Sequence, residues 1–302
     1  MYHLATVVPP VKRLRIPLSR DQIMLLLAAI NEIFLGIDIY LAHDISGTIV
    51  PNEWIPIIFG PVAGALLLVA GVIALRQRPL ATLIATTVLM ASIAVGLLGV
   101  YFHLRRAALP DAPSGEQVTL ALLAWGPPFL GPLMFCLVGL FGLSAAWVEE
   151  PPDSGRLRMP GGWHVPLPLS KTRAYFLMFS LGHLITVISA VLDHVRTGFD
   201  NRYLWIPVVV GLFATFVSAI LGLLDRPHRG DLAVYVLAMG LMMLTGLIGL
   251  VLHVDDNLTS RGQFVLERFI RGAPFLAPLL FANMGMLGLV ALLDPRSETL
   301  EE

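Results

Sequence analysis

Residues 55–75 read IPIIFGPVAGALLLVAGVIAL, a run without a single charged side chain. A helix needs about 20 mostly apolar residues to cross the hydrocarbon core of a bilayer. Runs of similar length and composition recur along the chain, so the sequence predicts eight membrane-spanning helices and an all-α, polytopic membrane protein. They cover residues 23–42, 55–75, 80–102, 129–147, 174–192, 205–224, 232–252 and 273–293.

The composition of the whole chain agrees with this prediction. Of its 302 residues, 56% are hydrophobic and only 14% are charged, and the mean hydropathy is +0.79. Soluble domains are about one quarter charged. The net charge of −1 offers no basic field for nucleic acid. The composition therefore excludes a water-soluble protein and a nucleic-acid partner, and it makes the lipid bilayer the expected environment.

Basic residues indicate how the chain is oriented. Thirteen Lys and Arg residues lie in the termini and loops on one side of the predicted spans, against seven on the other side. Because Lys and Arg concentrate on the cytoplasmic side, both termini are expected there, with the chain in the plasma (inner) membrane. The first span is too long and too polar for a cleaved signal peptide, since it contains Asn31, Glu32 and Asp38.

The two halves of the chain resemble each other. Residues 96–103 read GLLGVYFH and residues 246–253 read GLIGLVLH, an offset of 150. An offset of 146 relates 126–135 to 272–281. An ungapped offset of 151 pairs Leu18 with Leu169, Ser19 with Ser170, His43 with His194, Trp54 with Trp205, Pro56 with Pro207 and Gly60 with Gly211.

This internal repeat predicts the domain organisation. A first membrane repeat covers 1–148 and a second covers 174–302, separated by a Pro- and Gly-rich cytoplasmic linker at 149–173. Four spans in each repeat give both copies the same orientation, related by a pseudo-twofold axis along the membrane normal. The expected architecture is therefore two tandem four-helix bundles, a 4+4 arrangement.

Histidines close four of the spans near the outer face of the membrane. In an up-and-down bundle the first and third helices stand diagonally across the core, so each half offers two imidazoles at one depth. This geometry suits bis-His ligation of a b-type haem, or part of a smaller copper, zinc or iron site. Interfacial caps are the alternative interpretation. The candidate ligands are His43, His103, His194 and His253.

Paired glycines precede two of these histidines on the same helical face. Gly96 and Gly99 precede His103, and Gly246 and Gly249 precede His253, at spacings of seven and four residues. The missing side chains predict a flat trough in which a porphyrin lies, or otherwise a notch for close helix packing.

Two ionisable residues fall midway along spans. The offset of 151 places Glu32 of the first span on His183 of the fifth. Ionisable groups at this depth are costly and are functional candidates by default. We expect them to pair near the axis as a proton-relay or quinol-deprotonation element, because imidazole exchanges protons near neutral pH. A fixed hydrogen-bonded pair that locks two helices is the alternative.

Proline pairs open the fourth and eighth spans, at Pro128 and Pro132 and again at Pro274 and Pro278. The second proline of each pair lacks the amide that would bond to the carbonyl four residues earlier. The sequence therefore predicts a freed carbonyl at residues 128 and 274.

Three functions follow from these features. The first is a membrane electron-transfer subunit that binds haem or another metal and exchanges electrons with quinol or an extracytoplasmic redox partner. The second is a transporter or channel for protons, metal ions or small solutes that uses Glu32 and His183. The third is a structural subunit associated with other membrane subunits. Catalytic motifs are not evident, so the sequence leaves open whether the protein is an enzyme.

Overall fold

The computed structural model describes residues 4–13, 17–45, 47, 49–108, 126, 128–196 and 198–293. Six of its helices are long and apolar enough to cross a membrane, and two apolar helices are shorter. The six are α2 (Arg20–Asp44), α3 (Trp54–Ala74), α4 (Arg78–Ala108), α6 (Lys171–Val195), α7 (Trp205–Leu223) and α8 (Arg229–Asn257).

The two shorter apolar helices are α5 (Leu130–Ala146) and α10 (Leu279–Val290). They fall in the predicted spans 129–147 and 273–293. Helix α5 begins close to the predicted start, with Pro132 in its first turn, whereas α10 begins directly after Pro278. The short helix α1 (Leu4–Val7) packs on α8, and the short helix α9 (Leu266–Arg271) contacts α2 and α8. Both chain termini, residues 1–3 and 294–302, lie outside the described residues.

Large apolar side chains cover the outward faces of the long helices. Val72, Val209 and Val251 are each more than 60% exposed, and many Leu, Ile and Phe side chains are similarly uncovered. A protein in water would bury such a surface, because exposing it costs about 25 cal/mol for each Å². Lipid is the environment in which these faces are stable, so the chain is an all-α, membrane-embedded protein.

Serines begin the first helix of each half. The Ser19 side chain accepts a hydrogen bond from the Gln22 amide, and the Gln22 side chain accepts one from the Ser19 amide. Ser170 likewise accepts from the amide of Arg173 at the start of α6. Capping satisfies amide groups that a helix end leaves without a partner. The cap therefore fixes where α2 and α6 enter the membrane.

The helices pack in the same order in both halves. In the first half, α2 packs on α3 and α5, α3 packs on α4, and α4 packs on α5. In the second half, α6 packs on α7 and α10, α7 packs on α8, and α8 packs on α10. The halves meet where α5 contacts α6 and where α10 contacts α2.

Glycines set the closest helix contacts. A Cβ on Gly139 of α5 would lie 2.8 Å from the Leu89 carbonyl of α4, and one on Gly285 of α10 would lie 2.5 Å from the Met239 carbonyl of α8. Gly60 of α3 similarly faces the backbone of Gly36 in α2. Missing side chains therefore bring these helix backbones together, as is usual between membrane helices.

The segment predicted as a linker is folded. It contains a small antiparallel sheet in the order β1 (Val148–Glu149), β2 (Arg156–Arg158) and β3 (His164–Pro166). The Glu149 carboxylate accepts hydrogen bonds from the amides of Gly155, at 2.7 Å, and Lys171, at 2.9 Å. This carboxylate connects the sheet to the first turn of α6.

We expect Gly60→Ala to lower the melting temperature of the purified protein in detergent, because the new methyl group would overlap the backbone of α2. The matched control is Gly71→Ala in the same helix, where a Cβ meets no atom within 4 Å. That change should leave the melting temperature unchanged or raise it, since alanine is favoured over glycine in a helix by about 1 kcal/mol. Equal effects of the two substitutions would contradict the close α2–α3 contact.

Candidate functional site

His43 and His103 lie together at the end of the first half that is opposite Ser19. His43 is in the last turn of α2, and its ring centroid is 6.1 Å from that of His103 in α4. The Nδ1 atom of His43 is 2.8 Å from the Ile39 carbonyl, and its Nε2 atom is 3.8 Å from a Glu53 carboxylate oxygen. The structure therefore brings together two of the four predicted ligands, with a carboxylate beside them.

The freed carbonyls predicted at the proline pairs bind histidine. His103 Nδ1 donates to the Pro128 carbonyl at 3.1 Å, and His253 Nδ1 donates to the Pro274 carbonyl at 3.0 Å. Pro132 and Pro278 have no amide with which to complete the usual helical bond to these carbonyls. Each carbonyl also accepts a hydrogen bond from the amide three residues later, that of Gly131 or Ala277, so histidine adds a second donor in both halves. This bond places the ring proton on Nδ1, an arrangement common to imidazoles that bind metals through Nε2.

The four trough glycines contact the same proline-led helices. A Cβ on Gly99 would lie 2.7 Å from Pro132 Cβ, and one on Gly249 would lie 2.7 Å from Pro278 Cβ. Gly96 and Gly246 face the backbone carbonyls of these prolines. A helix of the same half therefore fills the predicted trough and leaves no room for a porphyrin beside the glycines. The trough is filled because helices can approach each other closely where glycine has no side chain.

His194 and His253 occupy the end of the second half that is opposite Ser170. They lie within electrostatic range of each other and of Asp193. The His194 ring also contacts Phe199, with 6.2 Å between ring centroids. Within the described ranges, no three His, Cys, Asp or Glu side chains are arranged to hold a metal ion. The four histidines thus form one pair in each half rather than one shared ring.

Glu32 lies fully buried at the centre of the first half. Its Oε1 atom is 2.5 Å from the Ser92 hydroxyl of α4, which is in turn 3.0 Å from the Phe135 carbonyl of α5. The Ser92 hydroxyl has one hydrogen and can donate it to only one of these two oxygen atoms. Both contacts are hydrogen bonds when Glu32 holds an acid proton and donates it to Ser92. The other carboxyl oxygen, Oε2, has no hydrogen-bonding partner in the described structure.

His183 occupies the corresponding place in the second half and is also fully buried. Its Nδ1 atom is 3.3 Å from the Ser218 hydroxyl of α7, and its ring stacks on Phe179. The ring nitrogen Nε2 has no hydrogen-bonding partner among the described residues.

The expectation that Glu32 and His183 pair with each other is wrong. Glu32 turns toward α4 and α5, whereas His183 turns toward α7 and α10. Each side chain therefore points into the bundle formed by its own half. The prediction assumed that the Glu32 face of α2 and the His183 face of α6 meet midway along the helices. Which face of each helix meets the other half depends on the rotation of the helix about its axis, and the sequence does not give this rotation.

A buried charged cluster joins the two halves at the Ser19 and Ser170 end. Arg20 donates to the Thr172 hydroxyl at 2.8 Å, and Lys171 forms an ion pair with Asp21. Lys171 also donates to the Trp147 carbonyl at 2.9 Å. Arg20 is 2% exposed and Lys171 is fully buried. These contacts fasten the first turn of α2 to the first turn of α6.

The contacts of this cluster are reciprocal. The offset of 151 pairs Arg20 with Lys171 and Asp21 with Thr172. Arg20 contacts Thr172, and Lys171 contacts Asp21, so each residue of one pair contacts a residue of the other. Tyr175 completes the cluster, with its ring under the Arg20 guanidinium at 5.3 Å. Sequence reasoning missed this cluster because it counted Arg20 and Lys171 only as residues of the basic side. The available signal was the position of Arg20 and Lys171, which directly follow the serine caps of α2 and α6.

Comparison of the chain with family models, curated proteins and solved structures found no match.

We expect Asp21→Asn to lower the free energy of unfolding by about 3 to 5 kcal/mol, because Lys171 would remain buried without its counter-charge. Thermal or denaturant unfolding in detergent measures this. The matched control is Glu150→Gln, which breaks the exposed pair with Arg158 at 3.2 Å. Exposed pairs contribute about 1 kcal/mol or less. An Asp21 variant as stable as the Glu150 variant would contradict the role of the cluster.

Proposed function

We propose that the chain crosses the plasma membrane eight times as two tandem four-helix repeats, with α5 and α10 as the shortest spans and both termini cytoplasmic. The corresponding glycine contacts, the paired histidine–proline bonds and the reciprocal contacts of the charged cluster support this arrangement. Two copies related by a twofold axis make such self-complementary contacts, in which residue i meets j and j meets i.

We further propose that the protein is a proton-coupled transporter or a channel in which Glu32 and His183 take up and release protons. One observation carries this proposal: Glu32 Oε2 and His183 Nε2 are both buried and without partners, at positions 151 residues apart. An unsatisfied buried polar atom costs about 1–3 kcal/mol. Two such atoms at corresponding positions are better explained by a transient partner, such as a proton, water or small polar solute, than by structural need.

The neighbouring hydroxyls fit this chemistry. Ser92 lies between the Glu32 carboxyl and the Phe135 carbonyl, so its hydroxyl can accept a proton from Glu32 or donate to its carboxylate. The Ser218 hydroxyl, 3.3 Å from His183 Nδ1, can likewise donate to this nitrogen or accept from it. Each titratable group therefore keeps one hydrogen bond in either protonation state. The other polar atom of each group, Glu32 Oε2 or His183 Nε2, is available to exchange a proton with a transient donor or acceptor.

Proton flux into liposomes tests this function. The purified protein is reconstituted with a pH-sensitive dye inside, and the rate of internal acidification is measured under an imposed pH gradient with potassium and valinomycin. We expect Glu32→Gln and His183→Gln to reduce the flux to that of protein-free liposomes, because glutamine keeps the size but does not titrate.

Matched controls use the same substitutions at exposed positions. Glu267→Gln and His164→Gln should leave the flux unchanged, since both side chains are exposed. Elution volume and circular dichroism establish that each variant is folded. Unchanged flux in folded Glu32 and His183 variants would instead favour a structural subunit.

The contact between His43 and His103 favours a second candidate, a small metal centre in an electron-transfer subunit. The two imidazoles and the Glu53 carboxylate are ligand types that bind zinc, copper and iron. As they stand, these three side chains are not arranged to hold an ion, so metal binding requires them to move together. A neighbouring helix occupies the space beside Gly96, Gly99, Gly246 and Gly249, so a single ion is favoured over a b-type haem.

Metal analysis and reduced-minus-oxidised absorption test this candidate. We expect stoichiometric metal in the purified protein, lost in His43→Ala and His103→Ala and retained in His164→Ala. Absence of metal, or full metal content in the His43 variant, would end the redox proposal for this pair.

A further inference from the structure

A cleft of about 40 Å³ lies where the two halves meet. Helices α2, α5 and α10 form its walls, which are mostly apolar and include Met24, Met134, Phe141 and Met284. A buried water needs about 10–15 Å³ of such space. The cleft therefore accommodates a group of a few heavy atoms, and it is open on one side.

Two asparagines give the cleft its polar atoms. Asn31 lies midway along α2, and Asn283, in the second turn of α10, lines the same cleft. Neither amide has a hydrogen-bonding partner among the residues that the structure describes. Water is scarce at this depth, and an amide that is transferred from water without a partner costs about 1–3 kcal/mol. Two unsatisfied amides facing one cleft indicate that a polar occupant belongs there.

The lining defines the chemistry of this occupant. Charged side chains are not among the residues that line the cleft, so the occupant is neutral. Each amide offers both a donor and an acceptor, which suits hydroxyl and carbonyl oxygens. The remaining walls are mostly apolar, so an apolar body is stable beside this head group. The cleft therefore matches a small oxygen-bearing head group on a lipid-soluble molecule.

We propose that this cleft binds a neutral lipid-soluble molecule through a hydroxyl or carbonyl head group held by Asn31 and Asn283. The molecule contacts both halves, because Asn31 belongs to the first and Asn283 to the second. Its site is separate from the proton-accepting atoms, so the inference does not depend on transport by Glu32 or His183.

Ligand-dependent stabilisation of the purified protein tests the site. Two probes with small head groups distinguish the chemistry: 2-dodecanone carries a carbonyl oxygen only, and 1-dodecanol carries a hydroxyl only. We expect at least one of them to raise the melting temperature saturably in detergent micelles, because a ligand that binds only the folded state stabilises it.

Variants of the two asparagines locate the binding. Asn31→Leu and Asn283→Leu should each weaken the apparent affinity about threefold to tenfold, which is the loss of one neutral hydrogen bond. Asn52→Leu, at an exposed residue outside the cleft, should keep the affinity of the unmodified protein. Without probe, both cleft variants should melt at or above the temperature of the unmodified protein, because they remove an unsatisfied amide.

Three results would overturn the proposal. One is the absence of saturable stabilisation by either probe, and another is unchanged affinity in both leucine variants. The third is a lower melting temperature of the variants without probe, which would mean that the amides are satisfied within the protein. Loss of proton flux in the Glu32 and His183 variants tests the transport function separately and leaves these outcomes unaffected.

Discussion

Inside a bilayer a polar group has no water to bind, and this constraint governs the structure. The helices satisfy their own backbones, and Ser19 and Ser170 satisfy the amides at the points where α2 and α6 begin. Prolines remove one backbone donor at two places, and His103 and His253 each bond to the carbonyl that loses it. Among the described residues, the buried polar atoms that remain without partners are therefore informative.

The unpartnered atoms fall in two distinct settings. Glu32 and His183 stand alone at the centres of the two halves, each beside one serine, whereas Asn31 and Asn283 face a cleft between the halves. The first setting suits proton exchange within a bundle, and the second suits a neutral molecule that reaches the cleft from the lipid. The charged cluster of Arg20, Asp21 and Lys171 stands apart from both, because its members satisfy one another and hold the halves together.

Much of this could be predicted from residue patterns, and particular residues show where prediction stopped. The freed carbonyls at Pro128 and Pro274 follow from the missing amide of proline, a covalent property. The partner that each carbonyl finds depends on the distance between two helices, which no local pattern encodes. Gly96 and Gly249 illustrate the same limit, since a missing side chain indicates a close approach but does not say whether a cofactor or a helix makes it.

The sequence by itself determined that the chain is helical and suited to a membrane, because hydropathy is a property of neighbouring residues. It also predicted the spans and a correspondence of residues between the halves. Only the tertiary structure decided what each polar side chain meets. Helix rotation turned Glu32 and His183 away from each other, placed Asn31 and Asn283 on one cleft, and brought Lys171 onto Asp21. Glu32 contacts Ser92 across 60 positions of the chain, and Lys171 contacts Asp21 across 150, so packing of the helix faces determines these contacts.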